Sequence, residues 1–216
     1  MPGQNTPRTP TLRRPLATPY VAARSTDAGP RKAELSVEFT AKGPRLAYKH
    51  PRPEDRDSYG NLWIRMEQPT EPPGRILYDS MHPARQRTCM ERMLCQICAQ
   101  PAGRDKDGWL FIDWRREDSP PTWPEKSITA MPPLCAEHVQ LSLRQCPFLR
   151  RTEHALLRVR KPHLYGVSGT LYRLTEHGWL ASDEDALCPY NKPRHPGLLA
   201  SRLHRELRHV TVVNLP

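Results

Sequence analysis

Two short stretches, Cys95-Gln-Ile-Cys98 and Cys135-Ala-Glu-His138, decide how this chain is expected to fold. Two cysteines separated by two residues can reach one metal ion from a tight turn. At the start of a helix, residues three positions apart lie on the same face, so Cys135 and His138 can share an ion as well. Sulfur and imidazole nitrogen, in sets of four, are ligands that zinc prefers. The sequence therefore predicts a structural Zn²⁺ held by Cys95, Cys98, Cys135 and His138.

The residues around these pairs predict a compact zinc-binding module over residues 93–147. The first pair is followed by a polar turn and by an apolar strand at 109–114. Residues 115–133 are rich in proline and indicate a loop, which encloses a short return strand. A helix is expected to begin near Cys135 and to run to about Gln145. The module is thus predicted to contain a turn, a hairpin and a helix, in that order.

This order resembles the treble-clef zinc finger. The resemblance implies that Cys95 and Cys98 are ligands from the turn and that Cys135 and His138 are ligands from the helix. Nucleases of the HNH type are similar in the turn and the helix, and they carry a catalytic histidine on the hairpin.

The chain departs from the HNH pattern on the hairpin itself. Trp114 follows Asp113 where that pattern has a histidine, and no histidine lies between Cys98 and His138. Without an imidazole to activate water, metal-assisted hydrolysis of a phosphodiester lacks its general base. The sequence therefore favours a protein that is not an enzyme. A degenerate or divergent HNH-type nuclease is kept as an alternative.

Short alternating stretches outside the module predict antiparallel strands. Over residues 33–67, apolar and polar residues alternate as they do in the half-buried strands of a small meander. A helix is predicted from Pro83 to about Leu94, because proline is tolerated in the first helical turn. Further strands are predicted at 154–161 and 164–174.

The C-terminal part is predicted to contain a helix, a loop and a last strand. Four leucines fall on one helical face and three arginines on the opposite face: Leu198, Leu199, Leu203 and Leu207, and Arg202, Arg205 and Arg208. The acidic run 183–185 is assigned to a loop, and a strand to 210–215. The predicted fold class is α+β, with small antiparallel strands, a treble-clef-like zinc-binding core and a few short helices.

The N-terminal residues 1–32 differ in composition from the rest. They hold too little apolar surface to offset the entropy of ordering. Their basic residues supply about half of the formal net charge of +10. We expect a disordered, basic, proline-rich tail at 1–32 and a single α+β domain at 33–216.

Composition also bounds the setting of the protein. Only 37% of the residues are hydrophobic, and no apolar run of about 18 residues is present, so no membrane-spanning segment is expected. The N-terminus lacks the apolar run of a secretory signal, and its prolines would break the helix of a transit peptide. We expect a cytoplasmic protein, in which cysteines are thiols or metal ligands.

The remaining cysteines are weaker ligand candidates. Cys146 lies about 16 Å along the predicted helix from Cys135, too far to share its ion, and is expected to be buried at the helix end. Cys89 falls inside a predicted helix, and Cys188 is remote in sequence and stays a spare candidate. A redox-active Cys95–Cys98 pair is disfavoured, because no helix begins at Cys95.

Two groups of basic residues suggest a binding function. One follows the predicted zinc helix, and the other lies on the predicted C-terminal helix. Arginine pairs well with phosphate, so these groups are candidate contacts to DNA or RNA. They are Arg144, Arg150, Arg151, Arg158, Arg160, Lys161, Arg202, Arg205 and Arg208. The interpretation is a zinc-stabilised binding module, nucleic-acid-associated or regulatory. A protein–protein adaptor is an alternative, and solvated arginines on an edge strand would give the same pattern.

Several further motifs carry a wider resemblance. They are Arg85-Gln-Arg87, Pro132-Pro-Leu-Cys135, Cys146-Pro-Phe-Leu-Arg150 and Gly166-x-x-Gly-Thr-Leu-Tyr172. Over about residues 33–215 the chain resembles a family of uncharacterised proteins from Streptomyces and related actinomycetes. The resemblance implies a bacterial cytoplasmic setting and a treble-clef-like zinc site, with no established activity. His138 stands where many of these proteins have cysteine.

Overall fold

A computed structural model of the chain describes residues 17–27, 29, 34–66, 74–146, 148–149 and 151–213. Strands and bridges account for 46% of the described residues and helix for 13%. The predicted α+β fold with a treble-clef-like core is therefore wrong, because the described part of the chain is mostly β.

The described elements are eleven strands and two α-helices. The strands are β1 (Ala22–Arg24), β2 (Leu35–Thr40), β3 (Gly43–Tyr48), β4 (Leu62–Trp63), β5 (Ile76–Met81), β6 (Arg104–Asp105), β7 (Gly108–Asp113), β8 (Ile128–Thr129), β9 (Ala155–Thr175), β10 (Gly178–Pro189) and β11 (Leu198–Val212). The helices are α1 (Pro83–Arg92) and α2 (Ala136–Gln145).

A mixed sheet of seven described strands organises the fold. Its order is β4-β11-β9-β7-β6, with β10 also paired to β9 and β8 to β11. The central strand β9 pairs with β7 through its first residues, with β10 through its last, and with β11 along its other side. All of these pairs are antiparallel except β4–β11. Strand β7 is thus part of a large sheet, and this is why an isolated zinc-finger hairpin does not describe the fold.

Strand β9 runs through the point where two separate strands were predicted. A Cβ atom at Gly169 would lie 2.1 Å from the carbonyl oxygen of Leu199, and one at Gly166 would lie 2.4 Å from that of Cys188. The two glycines therefore mark close approach of neighbouring strands, which is one of the roles that glycine takes in a sheet.

The C-terminal helix is also a wrong prediction, since residues 198–207 belong to strand β11. The pairing of β11 with β9 shifts register between Ala200 and Arg202, and again between His204 and Arg205. These irregularities break the period of two, so the buried leucines take a spacing that imitates a helix. The acidic run 183–185, predicted as a loop, lies in β10 beside two register shifts.

Helix α1 begins and ends where the sequence indicates. Pro83 occupies its first turn, and the Nδ1 atom of His82 accepts from the backbone N–H of Arg85. Met93 ends the helix in the left-handed region, at φ 55°. The Gln86 amide donates to the carbonyl of Leu203 at 2.9 Å and accepts from its N–H at 3.0 Å. These two bonds fix α1 against β11.

The ordered part of the chain begins earlier than its composition predicts. Val21, Ala22 and Ala23 are buried, and β1 pairs with β5. The expectation of disorder is therefore wrong for residues 17–27. The rest of the predicted tail, at 1–16, 28 and 30–32, lies outside the described residues, apart from Gly29.

The alternation over residues 33–67 predicts strands that the structure contains. Strands β2 and β3 form a hairpin, with Leu35 opposite Tyr48 and Thr40 opposite Gly43. The indole N–H of Trp179 in β10 donates to the carbonyl of Ser36 at 2.8 Å, which joins this hairpin to the large sheet.

Candidate metal centre

The structure brings the four predicted ligands together. The ligand atoms of Cys95, Cys98, Cys135 and His138 all lie within 4.8 Å of one another. The Nδ1 atom of His138 lies 2.9 Å from the sulfur of Cys135 and 3.9 Å from that of Cys95. Ligands at zinc distances on a tetrahedron are separated by roughly 3.5–3.8 Å. The observed distances lie on either side of this range and the donors are ones that zinc prefers, so the group could hold a single divalent ion such as zinc.

The first pair is presented by a turn that the backbone holds tightly. The N–H of Cys95 donates to the carbonyl of Gln100 at 2.8 Å, and the N–H of Ala99 donates to the carbonyl of Cys95 at 2.9 Å. Ala99 adopts a φ of 58°, the left-handed conformation that reverses the chain here. This turn brings the sulfur atoms of Cys95 and Cys98 within 4.8 Å of each other.

The second pair comes from the start of α2. Cys135 is the N-terminal cap residue and is extended, with φ −80° and ψ 157°, and the N–H of His138 donates to its carbonyl at 3.1 Å. The N–H of Leu134 donates to the carbonyl of Leu110 at 2.9 Å. Strand β7 therefore fixes where this helix begins.

Backbone contacts also join the two ligand pairs directly. The N–H of Gln96, inside the first turn, donates to the carbonyl of Pro133 at 3.0 Å. Both pairs are thus positioned relative to each other by main chain. This leaves little rearrangement for an ion to impose.

The centre lies beside an apolar core. Cys95 is fully buried and belongs to a cluster of buried residues completed by Ala102, Leu110, Ile112, Leu134, Val139, Leu149 and Leu156. Burial raises the pKa of the Cys135 thiol, so the apolar setting favours the protonated sulfur when no cation is near. A bound divalent ion reverses this preference, because thiol ligands bind as thiolates.

The other three cysteines pack against apolar residues and are not part of the ligand group. Cys89 is buried in α1, and burial raises the pKa of its thiol to about 12. Cys146 caps the C-terminus of α2 and packs against the core beside the centre, where it is half-buried and not buried as predicted. Cys188 packs with the buried Val167 and Leu198. Among the described residues, no second group of His, Cys, Asp and Glu side chains is spaced to hold a metal.

The predicted nucleic-acid contacts have different surroundings. Arg158 lies 2.8 Å from Asp105, and Arg160 lies 3.0 Å from Asp107, so both pair with carboxylates of the β6–β7 hairpin. By contrast, three others are exposed and pair with no carboxylate in the described part of the chain: Arg144, Arg151 and Lys161. Arg150 lies outside the described residues.

The three arginines assigned to a helical face lie on strand β11. Arg202 pairs with Asp185 at 3.2 Å, and Arg208 pairs with Glu206 at 2.9 Å. Arg205 is only 8% exposed. Its guanidinium donates to the carbonyl of Met90, near the end of α1, so it serves the packing of that helix.

A serine–histidine contact was not predicted from the sequence. The Nε2 atom of His204 lies 2.8 Å from the hydroxyl of Ser168. Ser168 is 4% exposed, and the buried Nδ1 atom of His204 finds no hydrogen-bond partner among the described residues. A serine nucleophile needs an accessible hydroxyl and a histidine oriented by a third group. This pair therefore belongs to the interior of the sheet.

Comparison with protein-family models, with curated proteins and with solved structures finds no match for this chain. The resemblance to actinomycete proteins therefore stays a prediction. No helix in the described ranges is both long enough and apolar enough to cross a membrane. The fold and the site define a mostly β protein with a Cys3His group suited to a metal ion.

Proposed function

We propose that this protein is a non-enzymatic, zinc-stabilised module that binds nucleic acid. The observation that carries the proposal is the Cys3His group itself, whose four ligand atoms lie within 4.8 Å of one another. Four protein ligands complete the tetrahedron of a structural zinc site, whereas catalytic zinc keeps one position open for water or substrate. The ion would therefore stabilise the fold, and the function would lie on the surface.

The connections made by the centre support a stabilising role for the ion. Cys95 follows the end of α1, and Cys135 caps the start of α2. Leu134, the residue before Cys135, is hydrogen-bonded to strand β7. One ion would thus tie both helices to the large sheet. Elements that are distant in sequence gain most from such a link, because it removes conformational freedom from the unfolded chain.

The charge of the protein favours an anionic partner. The net charge is +10. Arg144, in the last turn of α2, and Arg151, six residues after the helix, are exposed and have no carboxylate partner in the described ranges. Lys161, on β9, is exposed in the same way. Each such group that contacts a phosphate releases condensed counterions and adds affinity at low salt.

The hairpin beside the centre argues against a nuclease. Asp113 ends β7, is fully buried, and accepts hydrogen bonds from Arg116 at 3.2 Å and from the indole of Trp123 at 3.3 Å. A carboxylate held in this way is not available to activate water. The interval between Cys98 and His138 contains no histidine to replace it.

Binding of a fluorescent oligonucleotide to the purified full chain tests the proposal. We expect the anisotropy to rise on binding. The protein concentration at the midpoint should increase roughly tenfold or more between low and moderate salt, as a few phosphate contacts require. The double variant Arg144→Ala/Arg151→Ala should weaken binding and flatten the salt dependence by about one unit of slope for each lost contact. The matched control is the double variant Glu137→Gln/Glu153→Gln, which removes two exposed negative charges. It should not weaken binding.

Two results would count against this proposal. Absence of binding at low salt would remove the nucleic-acid function. Recovery of a stoichiometric protein partner that survives nuclease treatment, together with absence of oligonucleotide binding, would favour the adaptor instead.

A further inference from the structure

Two stacked tyrosines form an aromatic surface apart from the metal centre. The ring centroids of Tyr59 and Tyr190 lie 3.7 Å apart, and the ring planes differ by 9°. Tyr59 is 50% exposed, whereas burial raises the pKa of the Tyr190 hydroxyl. Tyr190 therefore covers one face of the Tyr59 ring. No second ring or cation covers the opposite face among the described residues, so a planar ligand can stack there.

The loop that carries Tyr59 is held in place by one carboxylate. Asp57 accepts from the N–H of Tyr59 at 3.0 Å, from the N–H of Asn61 at 2.8 Å and from the indole of Trp63 at 3.0 Å. The Tyr190 hydroxyl lies 3.5 Å from the same carboxylate. A ring fixed in this way loses little conformational freedom on binding, which favours affinity.

An exposed cation, Arg194, lies next to this aromatic surface, and Lys192 follows Tyr190 by two positions in the chain. The guanidinium of Arg194 donates to the carbonyl of Tyr59 at 3.0 Å. Gly60 has a φ of +80°, and a Cβ atom there would lie 1.9 Å from Nη1 of Arg194, so the side chain lies directly against the loop. Arg194 and Lys192 are exposed, and neither pairs with a carboxylate within the described chain.

Arginine side chains outnumber carboxylates around this loop. Burial lowers the pKa of Arg56, and the nearby charges of Arg45 and Arg194 lower it further. Glu38 is shared between Arg45 and Arg56; with Asp57 in the loop and Arg194 against it, three guanidinium groups stand against two carboxylates. An anion that approaches Arg194 would therefore be attracted by more than one charge.

We propose that a base of single-stranded nucleic acid stacks on the open face of Tyr59, while Arg194 and Lys192 contact a neighbouring phosphate. This inference rests on the proposed function and names the surface that performs it. Aromatic side chains beside a basic groove accept any base, because every base has a π face. A duplex does not fit this geometry, since its bases are already stacked on one another.

The test is the affinity of the purified full chain for a fluorescent single-stranded oligo(dT) of about 12 nucleotides. Tyr59→Ala should weaken binding by roughly 5- to 100-fold, as expected for the loss of one base stack. Tyr59→Phe keeps the ring and should stay within about twofold of the wild type. Arg194→Gln, at an exposed position where a folding defect is not expected, should weaken binding and reduce the salt slope by about one.

Tyr78→Ala is the matched control, because Tyr78 is 52% exposed and lies in β5 outside the stacked pair. Equal loss of affinity in Tyr78→Ala and Tyr59→Ala would overturn the inference. It would also be overturned if Tyr59→Ala and Arg194→Gln bound normally while Arg144→Ala/Arg151→Ala did not, or if duplex DNA bound as tightly as oligo(dT). Those results would leave the proposed function standing. Failure of the wild type to bind any oligonucleotide would remove both.

Discussion

The guanidinium of Arg85 lies 2.7 Å from the carboxylate of Asp27, and the two side chains are only 8% and 1% exposed. Arg85 also donates to the carbonyls of Tyr20 and Ala22, at 3.1 and 2.9 Å. Arg85 of α1 therefore holds the N-terminal segment, residues 17–27, against the rest of the domain. The same segment contacts the metal-binding turn, because the N–H groups of Tyr20 and Val21 donate to the carbonyls between Cys95 and Cys98.

Removing one partner of this ion pair should destabilise the fold. Asp27→Asn leaves the Arg85 charge buried without its counterion, which typically costs about 3–5 kcal/mol. Urea denaturation of both proteins measures the difference in the free energy of unfolding. Glu91→Gln is the matched control, because Glu91 pairs with Arg87 on the surface of α1, where such a pair contributes about 0.5 kcal/mol or less. If Asp27→Asn lowered the free energy of unfolding no more than Glu91→Gln does, the Arg85–Asp27 pair would not hold this segment in place.

Metal removal should loosen the N-terminal segment together with the centre. The backbone of residues 96 and 97 accepts hydrogen bonds from residues 20 and 21, so a turn that loses its ion also loses a partner of the segment. We expect faster hydrogen exchange at residues 20–22 and 95–102 after treatment with a strong chelator, reversed by added Zn²⁺. Strand β10, remote from these contacts, provides the internal control. Unchanged exchange in both segments would mean that the ion does not support them.

Acid should destabilise the protein in part through His204. Burial, and then the charges of Arg202 and Arg116, lower the pKa of His204 to about 4, from an ordinary value of 6.5. Between these values the unfolded chain binds a proton that the folded protein does not. The stabilising contribution is therefore fully present above about pH 6.5 and is lost as the pH falls toward 4, by up to about 3 kcal/mol.

The measurement is the free energy of unfolding across this pH window, for the wild type and for His204→Gln. The variant should show the flatter profile, while the contribution of the metal centre is common to both proteins and cancels. Some slope should remain, because burial also lowers the pKa of His82. If the free energies of unfolding of the wild type and His204→Gln changed in parallel with pH, the lowered pKa of His204 would not be the cause.

Arg205 should matter for stability and not for contacts to a ligand. Its side chain is buried, and its guanidinium donates to the carbonyls of Met90 and Pro162. Arg205→Ala leaves these acceptors without a donor and should cost about 3 kcal/mol. Arg208→Ala, at an exposed position of the same strand, should change stability by less than about 0.5 kcal/mol. Equal unfolding free energies for the two variants would contradict this role.

The metal site was predictable because its signal is local. Pairs of ligands three positions apart specify the geometry of a turn and of a helix start, whatever the rest of the chain does. Helix α1 was predictable for a similar reason, since Pro83 and the residues after it indicate a helix without reference to other elements.

The large sheet depends on contacts that spacing does not reveal. Leu199, Leu203 and Leu207 have a helical spacing, but two register shifts bring them to the core from a strand. Gly166 and Gly169 lie in the long strand β9, where they allow neighbouring strands to approach, and the spacing of two predicted strands did not reveal that β9 is continuous. In each case the neighbour is distant in sequence, so tertiary packing overrides the local preference.

The N-terminal segment was missed because its apolar run is short. Val21, Ala22 and Ala23 offer little hydrophobic surface among prolines and basic residues. Their burial depends on β5 and on the buried Arg85, which lies far along the chain. Composition averaged over residues 1–32 hides such a segment.

The most direct test of this account is the metal content of the purified, folded chain, measured by elemental analysis alongside the Cys98→Ser and Cys188→Ser variants. We predict one zinc per chain in the wild type and in Cys188→Ser, and a loss of zinc in Cys98→Ser. A folded wild-type protein without stoichiometric metal, or zinc retained equally in all three proteins, would show that Cys95, Cys98, Cys135 and His138 do not form a zinc site.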